Sequence, residues 1–172
     1  MYDSTASTGS FVLPGGFTNT EARTIYTVYY NLLDITDSAV PTVITYGANA
    51  LSDSVANSFI TLRQQAWAGD NNFLLARRTG GNGAGIAGST PGVNVATFGL
   101  NGAGNMFITT NNGTVATDSA VVMSLPHERI AFNSPNANSS HVRTLIYRGY
   151  HDATTRAAIS RYLGNKYGAL VA

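Results

Sequence analysis

The chain has no cysteine among its 172 residues, which excludes a disulfide framework, a thiolate nucleophile and a cysteine-ligated metal. Charge is nearly as scarce. Asp, Glu, Lys and Arg make up 11% of the chain, less than half the usual share of about 25%, and the net charge is only +1. The basic face that nucleic acid requires is missing, since Arg77-Arg78 is the only local arginine pair. No apolar run approaches the roughly 18 residues of a membrane span, and Met1 to Gly9 carries no basic region followed by an apolar stretch. The expectation is a protein neither inserted in a membrane nor conventionally exported. Hydrophobic residues still reach 44%, the reverse of a disordered composition, and the length suits one domain with a substantial core.

The groups that carry catalysis are also sparse. Glu21 and Glu128 are the only glutamates, and Asp3, Asp34, Asp37, Asp53, Asp70, Asp118 and Asp152 are scattered through turns and strand ends. No two carboxylates alternate on one strand, which argues against a glycosidase pair. His127, His141 and His151 show no metal-binding spacing, and no Gly-x-Ser-x-Gly elbow presents a serine nucleophile. Gly81, Gly83 and Gly85 crowd together without the strand-to-helix context of a phosphate loop. No catalytic residue and no cofactor-binding residue is expected.

What is present is strand pattern. Short runs rich in β-branched and aromatic residues alternate with turn residues, which predicts an antiparallel sandwich or barrel. These runs are 22–30, 43–47, 57–62, 72–76, 93–98, 105–110, 120–124, 125–132 and 142–148. In Thr24 to Tyr30 both alternating faces are apolar, so this strand should be covered on both sides. Residues 79–92 form a glycine-rich segment expected to be a long exposed loop. The first sixteen residues read as an arm, 1–16, that adds an edge strand to its own sheet or reaches a neighbour; the domain proper is 17–172.

The end of the chain changes period. Thr144 to Gly149 reads as a strand, His151-Asp152-Ala153 as a turn, and Thr154 to Tyr167 as a helix stopped by Gly168. Asp152 or Thr154 can accept from the orphan amides at the helix start, and a glycine just past the end suits a left-handed cap. Ile159, Tyr162, Leu163 and Tyr167 recur at three- and four-residue spacing and are the expected packing face.

Among the aromatic side chains, Trp67 is the best candidate for a contact surface, beside a polar turn with Gln64, Asp70 and Asn71; a glycan or a neighbouring subunit would suit it. Tyr29, Tyr30, Tyr46, Tyr147 and Tyr150 could stack on sugar rings, but such residues more often fill cores.

Arg156, Ile159, Tyr162, Leu163, Lys166, Tyr167 and Gly168, preceded by the Ile146-Tyr147 strand, resemble the last strand and terminal helix of concanavalin A-like or laminin-G-like jelly rolls in phage and bacterial surface proteins. The strand runs upstream extend the resemblance, more weakly, over about residues 17 to 170. It implies an all-β fold: a two-sheet antiparallel jelly-roll sandwich with one C-terminal α-helix. It further implies a non-enzymatic structural or adhesion module at the surface of a phage particle, as a capsid decoration protein or a tail fibre or spike domain. Homo-oligomers, with a trimer favoured, and other virion proteins are the partners it implies. The low charge points the same way, because a near-neutral surface favours association. The alternative is a carbohydrate-binding module for a host surface polysaccharide; a glycan-degrading enzyme is disfavoured by the missing carboxylate pair. Calcium stays open, since Asp, Asn and backbone oxygens hold it with little sequence trace.

Overall fold

Among the described residues, strands rich in β-branched and aromatic side chains precede a single helix. The strands are Ser10–Phe17 (β1), Arg23–Asn31 (β2), Thr42–Gly47 (β3), Phe59–Trp67 (β4), Asp70–Arg77 (β5), Gly92–Leu100 (β6), Met106–Thr110 (β7), Ala116–Asp118 (β8), His127–Phe132 (β9) and Ser139–Arg148 (β10), followed by the helix Ala153–Tyr167 (α1). The structure, a computed structural model, describes residues 10–18, 21–31, 42–47, 59–67, 70–77, 91–101, 105–118, 127–132 and 139–172. For β3, β4, β5, β9 and most of β1 the description covers the backbone.

The strands pair antiparallel into two five-stranded sheets, ordered β1-β9-β3-β4-β5 and β10-β2-β6-β7-β8. They form a jelly-roll β-sandwich with one C-terminal helix, the expected fold class. Of the two courses expected for the arm at 1–16, its described part takes the first and adds an edge strand to its own sheet. From Ser10 onward it is the edge strand β1, with Ser10 opposite Ala131 and Phe11 opposite Ile130 on β9. The glycine-rich segment up to Thr90 and the strand expected at 120–124 lie outside the described residues.

Register explains the core. On β2, Ile25 and Tyr29 point to one face, with Ala96, Phe98, Leu100, Met106 and Ile108 on the neighbouring strands, all buried. This inner face closes the sandwich. Tyr26 and Val28 point to the opposite face, beside Val95 and Leu145, and there α1 lies over β6 and β2. Every residue from Arg23 to Tyr29 is buried, as expected of a strand covered on both sides.

The helix is set by its ends. Asp152 caps it, its carboxylate accepting from the Thr155 amide at 2.7 Å. Gly168 ends it at φ 82°, a left-handed conformation, and donates its amide to the Gly164 carbonyl. Lys166 in the last turn complements the helix dipole.

The packing face departs from the expected stripe at one position. Leu163 is buried, and Ile159 and Tyr167 pack against its cluster with Tyr26, Val28 and Val95. Tyr162 is 60% exposed, with the Lys166 ammonium 5.8 Å from its ring. It stands about 100° around the helix from Leu163, off the buried side. That side is completed by Arg156, Ser160 and Gly164, small or polar residues that allow close approach to the sheet. The Ser160 hydroxyl bonds that of Thr97 on β6, and Gly164 leaves room for Val171, whose Cγ2 lies 2.5 Å from where a β-carbon at Gly164 would be. Among the described residues no helix is long and apolar enough to cross a membrane.

Candidate functional site

Between β10 and α1 the chain turns over the outer face of its own sheet, and the turn gathers aromatic and cationic side chains. Gly149, at φ 96°, makes the bend and donates its amide to the Ala22 carbonyl. The Thr24 hydroxyl donates to the Gly149 carbonyl at 3.1 Å and accepts from the His151 amide at 2.9 Å. One buried hydroxyl thus pins the elbow to β2.

His151 is held from below. Its Nδ1 lies 2.8 Å from the Tyr26 hydroxyl, and its ring sits 4.7 Å from that of Tyr147. Burial pushes the His151 pKa below the usual histidine value and the Tyr26 pKa above the usual tyrosine value. Both shifts favour the uncharged forms of the imidazole and the phenol, which share one hydrogen bond.

Arg156, one turn into α1, supports the other side. It is only 6% exposed, and its Nη1 donates to the Tyr150 hydroxyl at 2.7 Å and the His151 carbonyl at 2.8 Å. Its guanidinium lies 5.0 Å from the Phe107 ring centre and 5.2 Å from that of Tyr150. Phe107 and Tyr150 meet edge to face at 5.2 Å. The result is a platform whose buried members, Tyr26, Phe107 and Arg156, fix two outward rings. Tyr147 is 37% exposed and Tyr150 46% exposed.

Arg156 also lines a groove of about 550 Å³ between α1 and the turn after β7, with Thr109, Asn112, Val115, Thr154, Ala157 and Arg161 among its walls. Asn111 and Asn112, both with positive φ, shape that turn. The Asn112 side chain donates to the Ala172 carbonyl, which Arg161 Nε also contacts. Ala172 thus bridges two residues of the groove wall.

The two carboxylates described in atomic detail near this region are both engaged. Glu21 pairs with Arg148, which holds its carboxyl below the usual carboxylate range. Asp152 caps the helix, and the Thr155 amide lowers its pKa as well. Among the described residues neither has a second carboxylate arranged across a cleft from it, and no three His, Cys, Asp or Glu side chains converge as a metal site.

The backbone places Trp67 opposite Asp70 and Ala66 opposite Asn71 where β4 turns into β5, with Gln64 farther along opposite Phe73. The strand register thus brings Trp67, Asp70 and Asn71 to one hairpin end in the other sheet, while their side chains, like that of Tyr46, lie outside the described residues. Of the other strand aromatics, Tyr29 is buried core and Tyr30 is exposed at the end of β2. Sequence reasoning missed Tyr26, His151 and Arg156 as one unit. The signal available was Arg156, Ser160 and Gly164 at four-residue spacing, a polar and small stripe where an apolar one is usual.

No protein-family profile matches the sequence, and no curated protein matches it. Solved structures do match in fold. The botulinum neurotoxin DC binding domain in complex with SialylT aligns with TM-score 0.57 at 14% identity, over 84% of this chain and 36% of that one. A GH54 α-L-arabinofuranosidase aligns with TM-score 0.60 at 15% identity, over 89% and 37%. Lactose-liganded congerin II aligns with TM-score 0.54 at 13% identity, over 82% of this chain and 100% of that one. The chain thus spans little more than a third of the first two and the whole of the third. The shared property is the jelly-roll β-sandwich fold.

Proposed function

We propose that the protein is a non-enzymatic adhesion module that binds carbohydrate on the Tyr147–Tyr150 platform. The observation that carries this is the pair of outward tyrosine rings held on a rigid base of Tyr26, His151, Phe107 and Arg156, beside an open groove. Aromatic faces stack on the apolar faces of sugar rings, and fixing them beforehand lowers the ordering cost of binding. Fold neighbours that carry glycans, lactose on congerin II among them, support the reading. One neighbour, the arabinofuranosidase, is an enzyme; against hydrolysis here stands the engagement of Glu21 and Asp152 in an ion pair and a helix cap.

The deciding experiment is a glycan array followed by titration of the best hit. Tyr147→Ala and Tyr150→Ala are each expected to weaken binding roughly thirtyfold, about 2 kcal/mol, as anchor residues do. Retention of full affinity in the double variant would sink the proposal. The terminal strand and helix resemblance supports a setting on a phage particle, as tail fibre, spike or capsid decoration, and the low charge supports association with further copies.

A further inference from the structure

We infer that the groove beside the tyrosine platform selects acidic glycans, an inference that rests on the carbohydrate-binding reading and specifies its ligand. Among the described residues two arginines, Arg156 and Arg161, line the groove and no aspartate or glutamate side chain does. Arg156 is nine-tenths buried, yet both of its hydrogen bonds leave from Nη1. The rest of its fork is available to a groove occupant, and a guanidinium pairs with a planar carboxylate through two parallel bonds.

The groove wall also includes the first turn of α1, at Ala153 and Thr154. Their amides have no intrahelical acceptor, and the positive end of the helix dipole lies there. That turn contains no acidic residue. Asp152, just before it, is committed to the Thr155 amide. The carboxylate of a sugar acid would therefore sit against Arg156 and the helix start.

From Ala153 to Arg161 the helix advances about 12 Å, so the ligand is an oligosaccharide and not a single ring. At the far end Arg161 and the Thr109 and Asn112 side chains face sugar hydroxyls. At the near end the chain passes onto Tyr150, whose hydroxyl Arg156 already holds.

The test uses the full chain and three probes: a galacturonic acid trisaccharide, the neutral galactose trisaccharide, and sodium acetate. Calorimetric titration is expected to show the acidic trisaccharide binding at least about tenfold tighter than the neutral one, one charge-assisted bond's worth. The preference should shrink at high salt as the groove charges are screened. Thr154→Glu is the decisive variant. It places a negative charge in the groove, yet at a helix N-terminus where that charge favours folding. It should preserve the melting temperature while abolishing the acidic preference. Equal affinity for the two trisaccharides, or a preference unchanged in Thr154→Glu, overturns the inference while leaving the platform reading intact. Acetate binding as tightly as the acidic trisaccharide also overturns it, by showing a bare anion site. Binding of neither trisaccharide overturns both.

Discussion

The hydroxyls of Thr97 and Ser160 lie 3.1 Å apart in a buried hydrogen bond that ties α1 to the middle strand of the sheet beneath it. Ser160→Ala leaves the Thr97 hydroxyl buried without its partner, and the expected loss is about 1–3 kcal/mol. Replacing both, Thr97→Val with Ser160→Ala, removes the orphan as well as the bond and should recover part of that loss. Urea unfolding of the two single variants and the double variant measures the coupling. A neutral Ser160→Ala variant would show that the bond contributes nothing to docking.

Leu163 and Tyr162 are neighbours in sequence with opposite fates. Leu163 is buried against Tyr26, Val28 and Val95, and Leu163→Ala is expected to destabilise by about 2–5 kcal/mol. Tyr162 faces solvent, and Tyr162→Ala should change stability by no more than about 0.5 kcal/mol. Denaturant midpoints separate the two. Equal losses at both positions would mean that the helix is rotated from the orientation described.

His141, on β10, is pushed from 6.5 down to about 4, chiefly by burial and then by the neighbouring Arg143. Between these values the unfolded chain binds a proton that the folded chain does not, so stability rises with pH across this window. The contribution is fully present above pH 6.5 and is lost progressively as pH falls toward about 4. Melting temperature followed over that range should decline toward acid in the native sequence and flatten in His141→Gln. An imidazole titration midpoint at or above 6.5, read by NMR, is the result that would refute it.

The platform and the terminal helix were legible to different degrees. Capping at Asp152 and the left-handed stop at Gly168 depend on residues three or four positions apart, so local sequence displays them. The burial of Leu163 followed from helical spacing, whereas the expected burial of Tyr162 did not survive. An aromatic can join a stripe by spacing and still face water when the sheet below accepts only a narrow helix face. Tyr147 and Tyr150 were visible as aromatics, but their exposure was not, because it depends on what Phe107 and Tyr26 fill beneath them.

The sequence by itself determined the strand-rich character, the double-sided burial of Thr24 to Tyr29, the single terminal helix and its two caps. All of these arise from periodicity and from contacts within a few residues along the chain. Only the tertiary structure decided that the first strand joins its own sheet beside Ile130 and Ala131, that the helix lies outside the sandwich over β6, and that Tyr26 meets His151 across 125 residues of sequence. Such pairings depend on which strands are neighbours in a sheet. That order is set by packing over the whole domain, and no local pattern encodes it.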